Sequence, residues 1–176
     1  MRSRQGSRGA QVATSPQAQA SSVAGRIRFT LSAVAVLIAD QVTKWLAVTY
    51  VEPGEVEVIP GVLRLYVTRN TGGIFGVLQG AGLIFFVLTA AVMAVLVVGA
   101  WRSGFHPALT GAIAGGGLGN LADRVFRTGG GALFEGGVVD FIDLSFWPSF
   151  NMADSVISIG VLLLVVRGFL YERLES

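Results

Sequence analysis

The stretch Gly137-Val138-Val139-Asp140-Phe141-Ile142-Asp143, continuing through Phe146-Trp147-Pro148 to Phe150-Asn151-Met152-Ala153-Asp154-Ser155, decides how the chain is read. It sets carboxylates on both sides of an aromatic turn at the point where an apolar run begins. Ionisable side chains at membrane depth are costly and face a cavity or a partner. Two of them converging on one cavity would form a general acid/base pair. The reading therefore depends on whether the flanking segments cross a membrane.

Composition says that they do. Of the 176 residues, 52% are hydrophobic and 14% charged, against roughly 25% charged in ordinary soluble domains. The apolar residues lie in blocks long enough to cross a bilayer, which takes about 20 residues per helix. A chain of this length is read as one domain. A net charge of +2 gives no argument for a nucleic-acid partner, and none is expected. The absence of cysteine excludes a disulfide framework, a thiol nucleophile and a cysteine zinc site. His106, the lone histidine, stands beside Pro107 in a short loop and cannot build a metal site alone.

Upstream, residues 1–28 are rich in Ser, Gln, Ala and Gly, carry Arg2, Arg4, Arg8, Arg26 and Arg28, and contain no acid. They are expected to be a disordered cytoplasmic tail, held inside by its arginines. A cleaved signal peptide has a similar look. Here, however, the apolar run continues past Asp40 without a small-residue cleavage site, so residues 29–51 are expected to be an uncleaved first span. On it, Asp40 and Lys44 are four apart and can pair on one face, either as a self-neutralising pair or as a brace for a site.

Residues 52–80 change pattern. Pro53-Gly54 and Pro60-Gly61 are turn signals, and Val56, Val58, Val62, Leu63, Leu65 and Val67 are β-formers in partly alternating runs. A small extracytoplasmic sheet is expected there. It ends in Arg69-Asn70-Thr71-Gly72-Gly73, which a plain turn explains about as well as a substrate-binding loop.

Further spans are expected at 81–100, 108–122 and 151–166, with residues 171–176 as a cytoplasmic C-terminus. Gly111, Gly115 and Gly119 line one face of the third span and invite close helix packing. Asn120, Asp123 and Arg124 share a face at its end, and the adjacent cation suits Asp123 to a supporting ion pair. On the fourth span Asn151, Asp154, Ser155 and Ser158 form a polar stripe. With Arg102, Arg167 and Arg173 inside, both termini are cytoplasmic and the polar residues gather at the outer membrane level. A glycine-rich loop at 127–136 lies on that outer side.

The motifs Asp40-Gln41-Val42-Thr43-Lys44, Asn70-Thr71-Gly72, Gly115 to Arg124, Val138-Val139-Asp140-Phe141-Ile142 and Phe150 to Ser155, in this order, resemble those of the lipoprotein signal peptidases, or signal peptidase II. The resemblance covers the chain from Asp40 to about Gly160 and leaves the arginine-rich tail outside. It implies a membrane all-α bundle of four transmembrane helices with a small extracytoplasmic β-sheet (a β-cradle), so that residues 29–170 form a single peptidase domain. It implies an aspartic endopeptidase of the bacterial cytoplasmic (inner) membrane, acting on diacylglyceryl prolipoprotein just before the modified cysteine. The family's catalytic aspartates fall on Asp140 and Asp154. Asn70, Gly72, Asn120, Arg124 and Asn151 are then candidates for holding substrate, and Asp40, Lys44 and Asp123 for support. No metal or organic cofactor is expected; the partners are the substrate and membrane lipids, and the chain is expected to be a monomer. Many members carry two alanines where this chain has Gly73-Ile74, and a longer segment between the aspartates.

Two other classes fit the same acids less well. A proton-coupled transporter would need polar residues through the inner halves of the spans, where 29–38, 88–98 and 160–166 are almost wholly apolar. An idle membrane scaffold leaves the Asn/Asp stripes without a purpose.

Overall fold

The computed structural model describes residues 16–52, 54–71, 82–102, 106–127 and 136–175. They form four helices and four strands, in the order α1 (Pro16–Tyr50), β1 (Val56–Ile59), β2 (Leu63–Asn70), α2 (Gly82–Arg102), α3 (Pro107–Phe126), β3 (Val138–Leu144), β4 (Trp147–Phe150) and α4 (Met152–Glu175). Two segments, Ser22–Tyr50 and Met152–Leu170, are long and apolar enough among the described residues to cross a bilayer.

Burial is inverted relative to a water-soluble bundle. Among the largest fully buried side chains are Lys44, Asn151, Thr110, Asp40 and Asp123, whereas Leu31, Ile38, Val95, Leu162 and Phe169 are exposed. In water such an apolar exterior would be a liability, and around a membrane protein it is the solvated surface. The small apolar core is Met93, Ile113 and Ala114, with Phe29, Ile157 and Leu164 packed on it.

Helix α3 is the centre of the bundle, in contact with α1, α2 and α4. Its glycine face is what permits this. A Cβ on Gly111 would strike the Phe29 carbonyl oxygen, one on Gly115 the Ala33 carbonyl oxygen, and one on Gly119 the Asp40 carboxylate. The α1 backbone therefore rides directly on α3, the close approach expected of a small-residue face.

All four strands form one antiparallel sheet in the order β1-β2-β3-β4. Ile59-Pro60-Gly61-Val62 turns the first hairpin, with Gly61 at φ 69° and Val62 N donating to Ile59 O at 3.0 Å. Proline before a residue of positive φ is the chemistry of a type II turn. The β2–β3 pairing sets Thr68 opposite Asp140 and Asn70 opposite Val138. Because α1 runs into β1 and β4 into α4, the sheet covers one end of the helices.

Three boundaries differ from expectation. The first helix begins at Pro16 rather than Phe29, because proline suits a first turn and the Ala- and Ser-rich segment after it has no helix breaker before Gly25. The sheet is not confined to the residues after α1: Val138–Leu144 and Trp147–Phe150 add two strands, so Trp147-Pro148 opens a strand where an interfacial turn was expected. Val138, Val139 and Asp140 are buried in succession, so no inside–outside alternation marks the strand, which is why β3 was hidden. Third, α4 runs on to Glu175, past the expected end near 166 and into the segment 171–176, whereas α3 ends at Phe126, a little beyond 122. Residues 1–15, Gly72 and the glycine-rich 128–135 lie outside the described residues.

Candidate active site

Helix α4 starts with a reciprocal cap that contains one of the two predicted catalytic carboxylates. Asn151, the residue before the helix, accepts Asp154 N–H on Oδ1 at 2.9 Å, while Asp154 Oδ2 accepts Asn151 N–H at 3.2 Å. This is a capping box with aspartate in the role usually filled by Glu or Gln, and the helix N-terminus favours the negative charge placed there. The capping amide has a second task. Its Nδ2 donates to Asp140 Oδ1 at 2.7 Å. One side chain thus ties the carboxylate of β3 to the helix carrying the other.

Asp140 is 2% exposed. Asn70, at the end of β2, also hydrogen-bonds its carboxylate. Burial first, and then the negative charge of Asp154, push Asp140 up to about 7, against the hydrogen bonds of Asn70 and Asn151 and the charge of Lys44. A carboxyl group in that range exchanges its proton near neutral pH, as acid/base work requires.

Asp154 Oδ1 accepts Asn120 Nδ2 at 2.9 Å. The Asn120 oxygen in turn accepts from Lys44 Nζ at 2.8 Å and from Asn151 Nδ2 at 3.2 Å. Below this layer Lys44 lies between Asp40 and Asp123, all three fully buried. Arg124, 6% exposed, is close enough for its charge to act on Asp140, Asp123 and Asp154.

The structure therefore brings Asp140, Asp154, Asn70, Asn120, Asn151, Arg124, Asp40, Lys44 and Asp123 into one cluster where the sheet meets α1, α3 and α4. Gly72 lies outside the described residues. Asp143 does not join the cluster. Three residues further along β3, it pairs with Arg64 and accepts Ser149 Oγ at 2.9 Å. The Arg64 hydrogen bond holds its carboxyl below the usual range, so it is ionised and committed elsewhere.

Asp123 is more heavily paired than its sequence neighbour suggested: besides the nearby charge of Arg124, Lys44 lies at 2.8 Å and Arg127 at 2.9 Å. Arg127 stands one helical turn on, at the spacing that lets two side chains meet. Two participants went unassigned at the level of sequence. Gln41 donates to Asp40 Oδ2, Gly119 O and Asp123 Oδ1, and Arg127 holds Asp123. The four-residue spacing from Asp123 was the signal for Arg127; Gln41 had only its place beside Asp40.

Helices of membrane-spanning length, a small antiparallel sheet and buried carboxylates at their junction define a membrane enzyme. Solved structures agree: two described as bacterial membrane enzymes, determined by the in meso method at 2.3 and 1.9 Å, match with TM-scores of 0.68 and 0.65, each at 34% identity. The first match covers 88% of this chain and 90% of the other; the second, 84% and 92%. The sequence profile of signal peptidase (SPase) II matches residues 32–170, and the chain belongs to that family. It is a peptidase and hence a hydrolase. Similar proteins include the lipoprotein signal peptidases of Syntrophomonas wolfei, 41% identical over 85% of this chain and 98% of the relative, and Geobacillus kaustophilus, 38% identical over 82% and 94%. That of Rhodococcus jostii is 42% identical over 74% and 67%.

Proposed function

We propose that Asp140 and Asp154 are the catalytic pair of an aspartic endopeptidase that removes signal peptides from prolipoproteins, cutting just before a diacylglyceryl-modified cysteine. The observation that carries this reading is the Asn151 bridge: one residue hydrogen-bonds both carboxylates, and the bridged Asp140 is raised to about 7. Like charges this close cannot both ionise cheaply, so the pair holds one proton and titrates as a unit.

The ionised carboxylate takes a proton from a water between the two, and the resulting hydroxide attacks the carbonyl carbon of the scissile bond. The protonated carboxyl donates to the carbonyl oxygen as the tetrahedral intermediate forms. On collapse the C–N bond breaks, the proton taken from water passes to the leaving amine, and a hydroxyl proton of the intermediate returns to the other carboxylate as the carbonyl re-forms, which restores the singly protonated pair. The signal peptide departs with a new carboxylate and the lipoprotein with a new amino terminus. Asn70 and Asn151 hold Asp140, Asn120 holds Asp154, and Arg124 supplies positive charge beside developing negative charge. Gly72 belongs to the same substrate loop by its motif.

In this reading all four helices span the cytoplasmic (inner) membrane of a bacterium, both termini are cytoplasmic, and the sheet lies on the extracytoplasmic face. The exposed Leu and Val side chains of the helices face lipid and guide the acyl chains. A monomer is sufficient, since every residue of the pair comes from one chain. Proton transport is disfavoured because, among the described residues, the buried charged side chains Asp40, Lys44, Asp123, Arg124 and Asp140 gather in one cluster beside β3 and the start of α4.

The experiment is cleavage of a purified prolipoprotein, with and without diacylglycerol on its cysteine, followed by mass spectrometry of the products. A new amino terminus at the modified cysteine, formed only from the lipidated substrate, is expected. Equal cleavage of both forms, or proton flux in proteoliposomes without cleavage, would overturn the reading.

A further inference from the structure

Each member of the Asp140/Asp154 pair is preceded by a residue whose backbone N–H is held by a buried carboxylate. Val139 N donates to Asp123 Oδ2 at 3.1 Å, and Ala153 N donates to Asp40 Oδ1 at 3.1 Å. The two holding carboxylates come from different helices, α3 and α1, and act on different elements, β3 and α4. A single cation joins them. Lys44 Nζ lies 2.9 Å from Asp40 Oδ2 and 2.8 Å from Asp123 Oδ2.

The third partner of the ammonium is Asn120 Oδ1, at 2.8 Å. An ammonium has three donors and no acceptor, so this contact assigns the oxygen side of the Asn120 amide to Lys44 and leaves its NH2 facing Asp154. Lys44, Asp40 and Asp123 are all 0% exposed. Well-packed apolar side chains are often as stabilising as a buried ion pair, and here the charges touch both halves of the pair. From this we infer that Lys44 is a positioning residue. It fixes the separation and orientation of the Asp140 and Asp154 carboxylates by clamping together the two carboxylates that hold the backbone beside each of them.

The inference rests on Asp140 and Asp154 being the catalytic pair. It differs from a role in stability alone in what it expects of kinetics. Loosening the clamp leaves the apolar faces that receive the lipid untouched, so KM is preserved. Reacting groups misplaced by about 1 Å cost about 100-fold in rate, so the loss falls on kcat.

The test uses the full-length chain in detergent with a diacylglyceryl prolipoprotein, comparing Lys44→Met with the parent at matched folded fraction. Removing Lys44 alone strands two buried carboxylates and can prevent folding. The Asp40→Asn/Lys44→Met/Asp123→Asn variant is therefore measured beside it. Its carboxamide oxygens still accept the Val139 and Ala153 N–H groups, but the ammonium that clamps them is gone and only the neutral Gln41 amide remains between positions 40 and 123. The expected result, in whichever variant folds, is kcat lowered about 100-fold with KM within about threefold. A kcat within about tenfold of the parent, or a loss confined to KM, overturns the inference. Asp140→Asn run in parallel separates the two readings. If it keeps its activity, the pair itself is wrong; if it is inactive while the Lys44 variant works, only the clamp is.

Discussion

Asn151 holds Asp140 by a 2.7 Å hydrogen bond from its side-chain amide while the same side chain caps the helix that carries Asp154. Stability and chemistry therefore meet in one residue and can be separated by substitution. Asn151→Ala removes both functions. Loss of an N-cap costs about 1 kcal/mol, and leaving a buried acceptor unsatisfied costs about 1–3 kcal/mol more. Asn151→Ser restores a capping oxygen but cannot reach Asp140 with a donor. Thermal unfolding should place Asn151→Ser between the other two, above Asn151→Ala by the roughly 1 kcal/mol of the cap and below the parent by the cost of the unsatisfied Asp140 acceptor. Activity should be low in both, by about 100-fold; a fully active Asn151→Ser would mean that the bridge is dispensable.

The pair should lose activity on the alkaline side. Asp140 is raised from 3.8 to about 7, so it keeps its proton up to that range, and the singly protonated pair disappears as pH rises through it. A pH profile of kcat/KM should fall above about 7 with the slope of one proton. Stability follows the same sign. Between 3.8 and about 7 the folded chain holds a proton that the unfolded chain releases, so this group's contribution is full below 3.8 and declines as pH rises through the window. Activity still rising at pH 9 would contradict a shared proton.

Asp143 is the control carboxylate. Its partners, Arg64 and Ser149, are remote from the pair, and the Arg64 side chain is 48% exposed. Asp143→Asn should keep cleavage within about threefold and cost no more than about 1 kcal/mol. Loss of cleavage in this variant, with the fold intact, would mean that the acid/base pair has been misassigned along β3.

The α1–α3 crossing sets a steric test. A Cβ at Gly115 would meet the Ala33 backbone carbonyl oxygen, which cannot move cheaply, whereas Gly168 on α4 has nothing within 4 Å. Gly115→Ala should destabilise by about 1–3 kcal/mol through overpacking. Gly168→Ala should be neutral or stabilise by up to about 1 kcal/mol from helix propensity. Thermal unfolding in detergent distinguishes them; equal midpoints would mean that the two helices are not in backbone contact.

Sequence carried the site further than the fold. Asp140, Asp154, Asn120 and Lys44 were legible because each needs a special reason to lie in an apolar chain, and because their motifs stand in a fixed order. The end of α1 and the starts of α2, α3 and α4 were legible to within a few residues for the same reason, whereas the start of α1 and the end of α4 were not. The two strands β3 and β4 were not. Val138 and Val139 are both buried, so successive residues show no alternation to mark a strand. The start of α1 was hidden because residues before Phe29 lack an apolar stripe, and helix formation there rests on weak local preference alone. The role of Arg127 was obscured by its place at the edge of a glycine-rich segment, although the turn of α3 brings it back to Asp123.

The central claim is that Asp140 and Asp154 act as one unit, each indispensable. It is tested most directly by single-turnover cleavage of a diacylglyceryl prolipoprotein by Asp140→Asn, Asp154→Asn and the double variant, each shown by thermal unfolding to be folded. Removal of either carboxylate should lower the rate by about 10³-fold or more, and removal of both should cost little beyond either alone. Either single variant retaining a rate within about tenfold of the parent, or losses that multiply as for independent groups, would contradict it.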